Sequence, residues 1–428
     1  MKPHIIVELR SPAEGDRPHW SDILQSKAGA EAPLTDALGA VLDRFAAPVW
    51  TAREHLRAGP DWTADERASG LDRIYRLILR RDMGLPDGLI DAIRLVPEVA
   101  AVHRGRIGAA ELPAARPAAL GARRADAARR AIGLELVRAI TEGDRDVLVA
   151  VLDTGLDLDH PELRGRLRPG RDFVDILHGA SDFIGDVVGA DADPDDEVGH
   201  GTHVAGVIGA TGEAAPRGVA PACPLLPVRV LAAMQQGGRR VGAGLVDNID
   251  QGVKFAVDQG AQVINMSLGV RHEGGGLPHR AVIEYAERKG AVVVAAAGND
   301  GARNLYYPGA LDTVIAVGSA GPDGAVSPFS TFGPQVFMLA PGEDIYSTGL
   351  RGGYALATGT SHAAPFVAGA CALLIARARA LGRRLRPAHL REIFQHTSDR
   401  TDRAFKTEKA GYGRLNLPDA MRFLEAQF

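Results

Sequence analysis

Val147-Leu148-Val149-Ala150-Val151-Leu152-Asp153-Thr154-Gly155 is a short β-branched run that ends on a carboxylate and a turn-forming glycine. Comparable runs return at Leu226–Leu231, Val263–Ser267, Ala291–Ala297, Thr313–Val317 and Gln335–Leu339. Helical patterns stand between them. Leu245, Ile249, Val253 and Val257 recur at helical spacing, and Phe366–Ala376, opened by Ser361, reads as a buried helix. This alternation predicts parallel βαβ units, hence an α/β fold whose mainly parallel sheet is covered on both faces. Open sheets of this kind bind ligands beyond the carboxyl ends of their strands, where Asp153 falls.

Residues 1–111 read as a separate small α+β unit. It opens with the strand-like Ile5–Leu9, closes with Val96–Val102, and carries helical patterns over Leu34–Phe45 and Leu71–Arg80. Residues 112–130, rich in Ala, Pro and Arg, read as an exposed linker, which leaves 131–428 as the larger domain. At 428 residues and 46% hydrophobic content the chain can bury a core in both units. A net charge of -4 provides no basic field for nucleic acid, and no apolar run suggests a membrane partner. The N-terminal apolar stretch is too short and too quickly charged for a secretory signal, so the expected location is cytoplasmic, or outside by a route without a classical signal peptide. Cys223 and Cys371 sit among small residues and are expected to be buried free thiols.

Cleaving an amide requires a nucleophile, a base for its proton, and a group that holds the base in one tautomer. Candidates are Ser361 in Gly359-Thr360-Ser361, His200 in Gly199-His200-Gly201-Thr202-His203, and Asp153. Asp-Thr-Gly could also be half of an aspartic-protease site, but the second such motif is absent from the sequence. An α/β-hydrolase would place its nucleophile elbow ahead of the acid and the base, whereas Ser361 follows both. The order Asp, His, Ser with these flanks resembles the subtilase family of serine endopeptidases, from about residue 130 to the C-terminus.

The resemblance implies a subtilisin-like three-layer fold and peptide-bond hydrolysis through an acyl-enzyme, with no cofactor for the chemistry. It implies Ser361 as nucleophile, His200 as base, Asp153 as its orienting group and Asn299 as oxyanion donor together with the Ser361 N–H. It makes His203 a structural helix residue and His362, where subtilisins commonly have Met, a packing residue. Polypeptide substrates would bind extended between the edges Ser267-Leu268-Gly269 and Gly237-Gly238. Ala296 and Gly298 would wall the first specificity pocket, and Tyr306 would make it shallow if it points inward. Residues 1–111 would be a propeptide acting as an intramolecular inhibitor. The loop Thr211–Arg217 looks shorter than the subtilisin calcium loop and lacks its amide side chains, whereas Asp191, Asp193, Asp195 and Asp196 crowd ahead of His200 and could hold a structural Ca²⁺. A solvated acidic loop is the rival reading. The alternative from another class is a catalytically silent peptide-binding scaffold, in which retention of all four active-site residues would have no explanation.

Overall fold

A computed structural model describes residues 4–24, 26–81, 84–111, 116–117, 127–174, 191–236, 239–272, 277–400 and 404–428. The N-terminal unit is an antiparallel sheet of β1 (His4–Leu9), β2 (Val49–Arg53), β3 (Ile74–Leu79) and β4 (Val99–Arg104) in the order β2-β3-β1-β4. Strand periodicity divides β1 between two faces. Ile5, Val7 and Leu9 join Leu38 and Leu42 of α1 (Asp36–Arg44) and Leu89 and Ile93 of α3 (Leu89–Arg94) in one core. His4 and Glu8 point the other way, to Asp247 and Arg280 of the larger domain. The helix expected over Leu71–Arg80 is instead a short 3₁₀ turn at Leu71–Arg73 followed by β3. Tyr75, Leu77 and Leu79 also alternate, and pairing with β1 and β2 on both sides selects that period over the helical one.

The chain then forms β5 (Ile107–Glu111) and β6 (Arg116–Pro117) and enters α4 (Ala127–Ala131) and α5 (Leu134–Arg138). The expected linker is thus shorter at its end, because 127–130 are helical and Arg129 is buried. In the larger domain β7 (Val149–Asp153), β8 (Arg171–Asp172), β9 (Leu225–Arg229), β12 (Val263–Met266), β14 (Val292–Ala296), β16 (Ile315–Ala320) and β17 (Val336–Pro341) form one parallel sheet, ordered β17-β16-β14-β12-β7-β9-β8. Val149 and Val151 face a core shared with α6 (His200–Gly209), α9 (Thr360–Ala380), α10 (Pro387–Thr397) and α11 (Leu417–Gln427). Ala150 and Leu152 face α7 (Val246–Asp258) and α8 (Arg280–Lys289). Alternate residues of a doubly covered strand are all apolar for this reason. Helix α9 is long and apolar enough to cross a membrane, yet 83% of that stretch is buried inside the domain. Cys223 and Cys371 are buried and unbridged.

Smaller strands edge the sheet: β10 (Ala232–Gln236) with β11 (Arg239–Leu245), β13 (Val270–Arg271) with β15 (Tyr306–Tyr307), and β18 (Ile345–Thr348) with β19 (Tyr354–Ala357). The N-terminal unit docks on α7 and α8 through buried polar groups. Arg76 pairs with Glu54 at 2.7 Å and donates to Asn248, and Lys254 reaches Glu66 of α2 (Ala64–Ala68) at 2.8 Å. Buried charges persist only when so matched, and removing one partner strands the other at a cost of about 3–5 kcal/mol. Lys254→Met is therefore expected to lower the denaturation midpoint strongly, and adding Glu66→Gln should recover much of the loss. Equal stability of wild type and the single variant would show that the pair does not anchor the two units.

Candidate active site

Asp153 is the last residue of β7 and His200 the first of α6. His200 Nδ1 donates to Asp153 Oδ1 at 2.7 Å, and the Thr154 N–H donates to the same oxygen at 2.8 Å. Because a carboxylate only accepts, this bond puts the proton on Nδ1 and leaves Nε2 unprotonated in the neutral ring. Nε2 has no hydrogen-bond partner among the described residues. Burial by itself disfavours the imidazolium, but the charge and hydrogen bond of Asp153, with Asp196 beyond, outweigh it and raise the His200 pKa above 6.5. The α6 backbone approaches β7 so closely that a Cβ on Gly201 would lie 2.1 Å from the Gly155 carbonyl oxygen.

Ser361 is the second residue of α9, where backbone N–H groups have no intrahelical acceptor. Pro365 lacks an N–H, so the Ser361 carbonyl loses its helical donor. Ser267 supplies one: its Oγ donates to Ser361 O at 2.8 Å, while Ser361 Oγ donates to Ser267 O at 3.2 Å. Asn299 is fixed from the same turn. The Thr360 N–H and Oγ–H both donate to its Oδ1, at 2.8 and 2.9 Å, and an N–H can only donate, so Nδ2 is the end left free. Ser267, Leu268, Gly269, Ala296, Gly298, Asn299, Asp300, Tyr306, Thr360 and Ser361 enclose a cavity of about 110 Å³. Tyr306 does point inward: a Cβ on Gly298 would lie 2.7 Å from its Cδ2. Gly237 and Gly238 lie outside the described residues, and the paired edge next to them is β11.

His203 Nε2 bonds the Ile345 carbonyl at 2.9 Å; burial first, with the charge of His200, lowers its pKa to about 3 despite that bond. The ring of His362 stands 4.5 Å from that of His203 and 5.3 Å from that of His200, centroid to centroid. Burial and these two imidazoles push the His362 pKa well down, so it packs as a neutral ring.

The four aspartates do not assemble as a metal site; among the described residues no three metal-ligating side chains converge. Asp191 and Asp193 each accept from a backbone N–H two residues on, and Asp195 accepts from Leu158 N. Asp196 turns into the protein, where Oδ1 takes Thr154 Oγ1, Val198 N and Gly199 N and Oδ2 takes both the N–H and the hydroxyl of Thr202. Protein donors thus occupy both oxygens of Asp196. Its role as a tie between the residues beside Asp153 and His200 was missed in the sequence, where it looked like one more acidic residue.

Glu162 was missed as well. Its buried carboxylate accepts from Thr211 Oγ1 and from the backbone N–H groups of Gly212, Glu213, Ala214 and Ala215. The loop after α6 therefore aims N–H groups inward at an anion. Burial opposes ionisation, but these donors win and lower the Glu162 pKa from 4.5 to about 2. A carboxylate with a depressed folded-state pKa adds stability above its unfolded value, lost as pH falls. Glu162→Gln is expected to melt earlier at neutral pH and to lose less additional stability than wild type between pH 4.5 and 2. Parallel stability curves over that window would show that Glu162 is not the titrating anchor.

A sequence model of the subtilase family matches residues 144–413. The intracellular serine protease of Paenibacillus polymyxa is 42% identical over 253 residues, 56% of this chain and 72% of the relative. Thermitase of Thermoactinomyces vulgaris is 38% identical over 59% of this chain and 81% of its own length. The thermophilic serine proteinase of Bacillus sp. strain AK1 is 37% identical over 66% of this chain, which spans 64% of that relative. Among solved structures, the prenylagaramide maturation protease PagA superposes with a TM-score of 0.56 at 29% identity, covering 68% of this chain and 98% of that one. With the Asp153–His200 pair at the sheet's carboxyl edge and Ser361 opening α9 beside Asn299, the chain belongs to the subtilase family of serine proteases.

Proposed function

We propose that the chain is a serine endopeptidase made as a self-inhibited precursor. The observation that carries the reading is the Asp153–His200 bond together with a nucleophile helix that leaves the Asn299 amide free. In this reading Ser361 Oγ attacks the scissile carbonyl carbon as its proton passes to His200 Nε2, and Asp153 stabilises the imidazolium. The negative oxygen of the tetrahedral species is met by Asn299 Nδ2 and the Ser361 N–H. Collapse expels the amine, which takes the proton from His200, and water then cleaves the acyl-enzyme by the same route. Tyr306 against Gly298 leaves a small first pocket, which favours small side chains on the acyl side of the scissile bond.

One pairing made by residues 1–111 and one made by the segment that follows them support an inhibitory role for the N-terminal unit. β5 adds to β11 antiparallel, Ile107 opposite Leu245 through Glu111 opposite Val241, as an extended substrate would add to an edge. β6 pairs with β19, just ahead of the Ser361 turn, and Arg116 contacts Asp344 at 2.8 Å. The chain that joins these two edges is 112–115, so self-cleavage is assigned to that interval within the notional linker. An inhibitor held on its own enzyme acts at high effective concentration until the connection is cut.

A fluorophosphonate should label Ser361 alone, and not in His200→Ala. Intact mass should find wild type cut between residues 111 and 116 and Ser361→Ala uncut. An uncut, fully active wild type would make the N-terminal unit a permanent accessory domain, and an unlabelled, inactive one would favour the silent scaffold. Asn299→Ala is expected to lower the turnover number roughly 10²–10³-fold, the cost of removing such a donor from subtilisin, with a nearly unchanged Michaelis constant. A change in the Michaelis constant alone would assign Asn299 to substrate binding.

A further inference from the structure

The cavity beside Ser361 has one carboxylate among its lining residues, Asp300. Its Oδ1 accepts from Ala302 N at 3.0 Å and Thr331 Oγ1 at 2.6 Å. Its Oδ2 accepts from Arg271 Nη2 at 2.8 Å, from the Tyr306 hydroxyl at 3.1 Å and from the Asn304 amide. Arg271 faces Tyr306 across the β13–β15 pair, donates from Nε to the Tyr306 hydroxyl at 3.2 Å, and holds its guanidinium 5.5 Å from the ring centroid. The guanidinium thus bonds both Asp300 and the Tyr306 hydroxyl, while Tyr306 and Asp300, but not Arg271, line the cavity.

We infer that Arg271 sets the charge preference of this cavity: by cancelling Asp300 it makes the cavity select uncharged side chains, where an unpaired Asp300 would select lysine or arginine. The inference rests on the peptidase reading, since the side chain in question is the one preceding the scissile bond. A lysine entering the cavity meets a carboxylate whose field is already answered by a nearer cation, and gains little for losing its water. Removing Arg271 leaves the other hydrogen bonds in place, so Asp300 stays oriented and ionised but unpaired. Arg271 acts through Asp300 and is a positioning residue for charge. Its side chain is 55% exposed, so shortening it opens no core cavity.

The test uses the full-length chain, incubated until it turns over peptide, and three peptides that differ only in alanine, lysine or glutamate before the scissile bond. Wild type is expected to favour alanine. Arg271→Ala should raise the lysine-to-alanine ratio of kcat/KM at least tenfold, roughly 1.4 kcal/mol, chiefly through KM. Added salt should shrink that gain. Arg271→Lys should keep the wild-type ratio, and Arg271→Ala with Asp300→Asn should abolish the gain. An unchanged ratio in Arg271→Ala, or a gain that survives Asp300→Asn, overturns the inference while leaving the peptidase intact. Wild type that cleaves none of the three and takes no label at Ser361 overturns the peptidase reading and this inference together.

Discussion

The Asp196 carboxylate is the tie on which the arrangement of the site depends. Asp153 and His200 lie 47 positions apart in the chain, on a strand end and a helix start that have no covalent reason to meet. Asp196 binds the hydroxyl of Thr154, next to Asp153, and the N–H and hydroxyl of Thr202, two residues beyond His200. Thr154 Oγ1 in turn accepts the N–H of Gly201. Burial pushes the Asp196 pKa up despite these donors, so the charge is expensive to keep and its partners cannot be dispensed with. The result is that the Asp153–His200 geometry is fixed by contacts within the fold itself.

The turn that opens α9 solves a different problem. A helix N-terminus concentrates unpaired N–H groups, which is useful beside a developing anion but leaves the turn poorly held. Pro365 worsens this by freeing the Ser361 carbonyl, and Ser267 from β12's end fills the gap. Thr360 then gives its N–H and hydroxyl to Asn299, so one turn holds both Ser361 and the Asn299 side chain. Chemistry and packing are joined there, which explains why the neighbouring His362 is a neutral ring wedged between two other imidazoles rather than a second base.

Between the two units the contact surface is unusually charged for one so deeply buried. Arg76 with Glu54 and Lys254 with Glu66 are almost wholly removed from water; Lys254 lies on α7, Glu66 on α2, Arg76 on β3 and Glu54 directly after β2. Ions matched in this way gain little over apolar packing, but a shifted docking would separate Lys254 from Glu66 and leave a buried charge alone. The N-terminal sheet is thereby registered so that β5 leaves it in line with β11. Docking and occupation of the edge are one geometric event.

Much of this was legible in the chain itself. The β-branched runs gave the parallel sheet, because strands covered on both faces carry apolar residues at every position; Val149 to Leu152 divide between two cores as that rule demands. The flanks of Asp153, His200, Ser361 and Asn299 pointed to one site because each marks a strand end or a helix start. What depends on contacts between distant segments was not legible. Leu71–Arg80 fits a helical and a strand period, and only pairing with β1 and β2 chose between them. Asp191–Asp196 reads equally as a cation site or a solvated acidic loop, and only the convergence of Thr154 and Thr202 makes Asp196 a structural tie. Glu162 and Arg271 carry no motif at all, since a side chain's partners across the fold leave no local pattern. The sequence by itself determined the order of elements and the chemistry available; tertiary structure decided which polar groups each carboxylate and guanidinium would meet, because those meetings join residues tens to hundreds of positions apart.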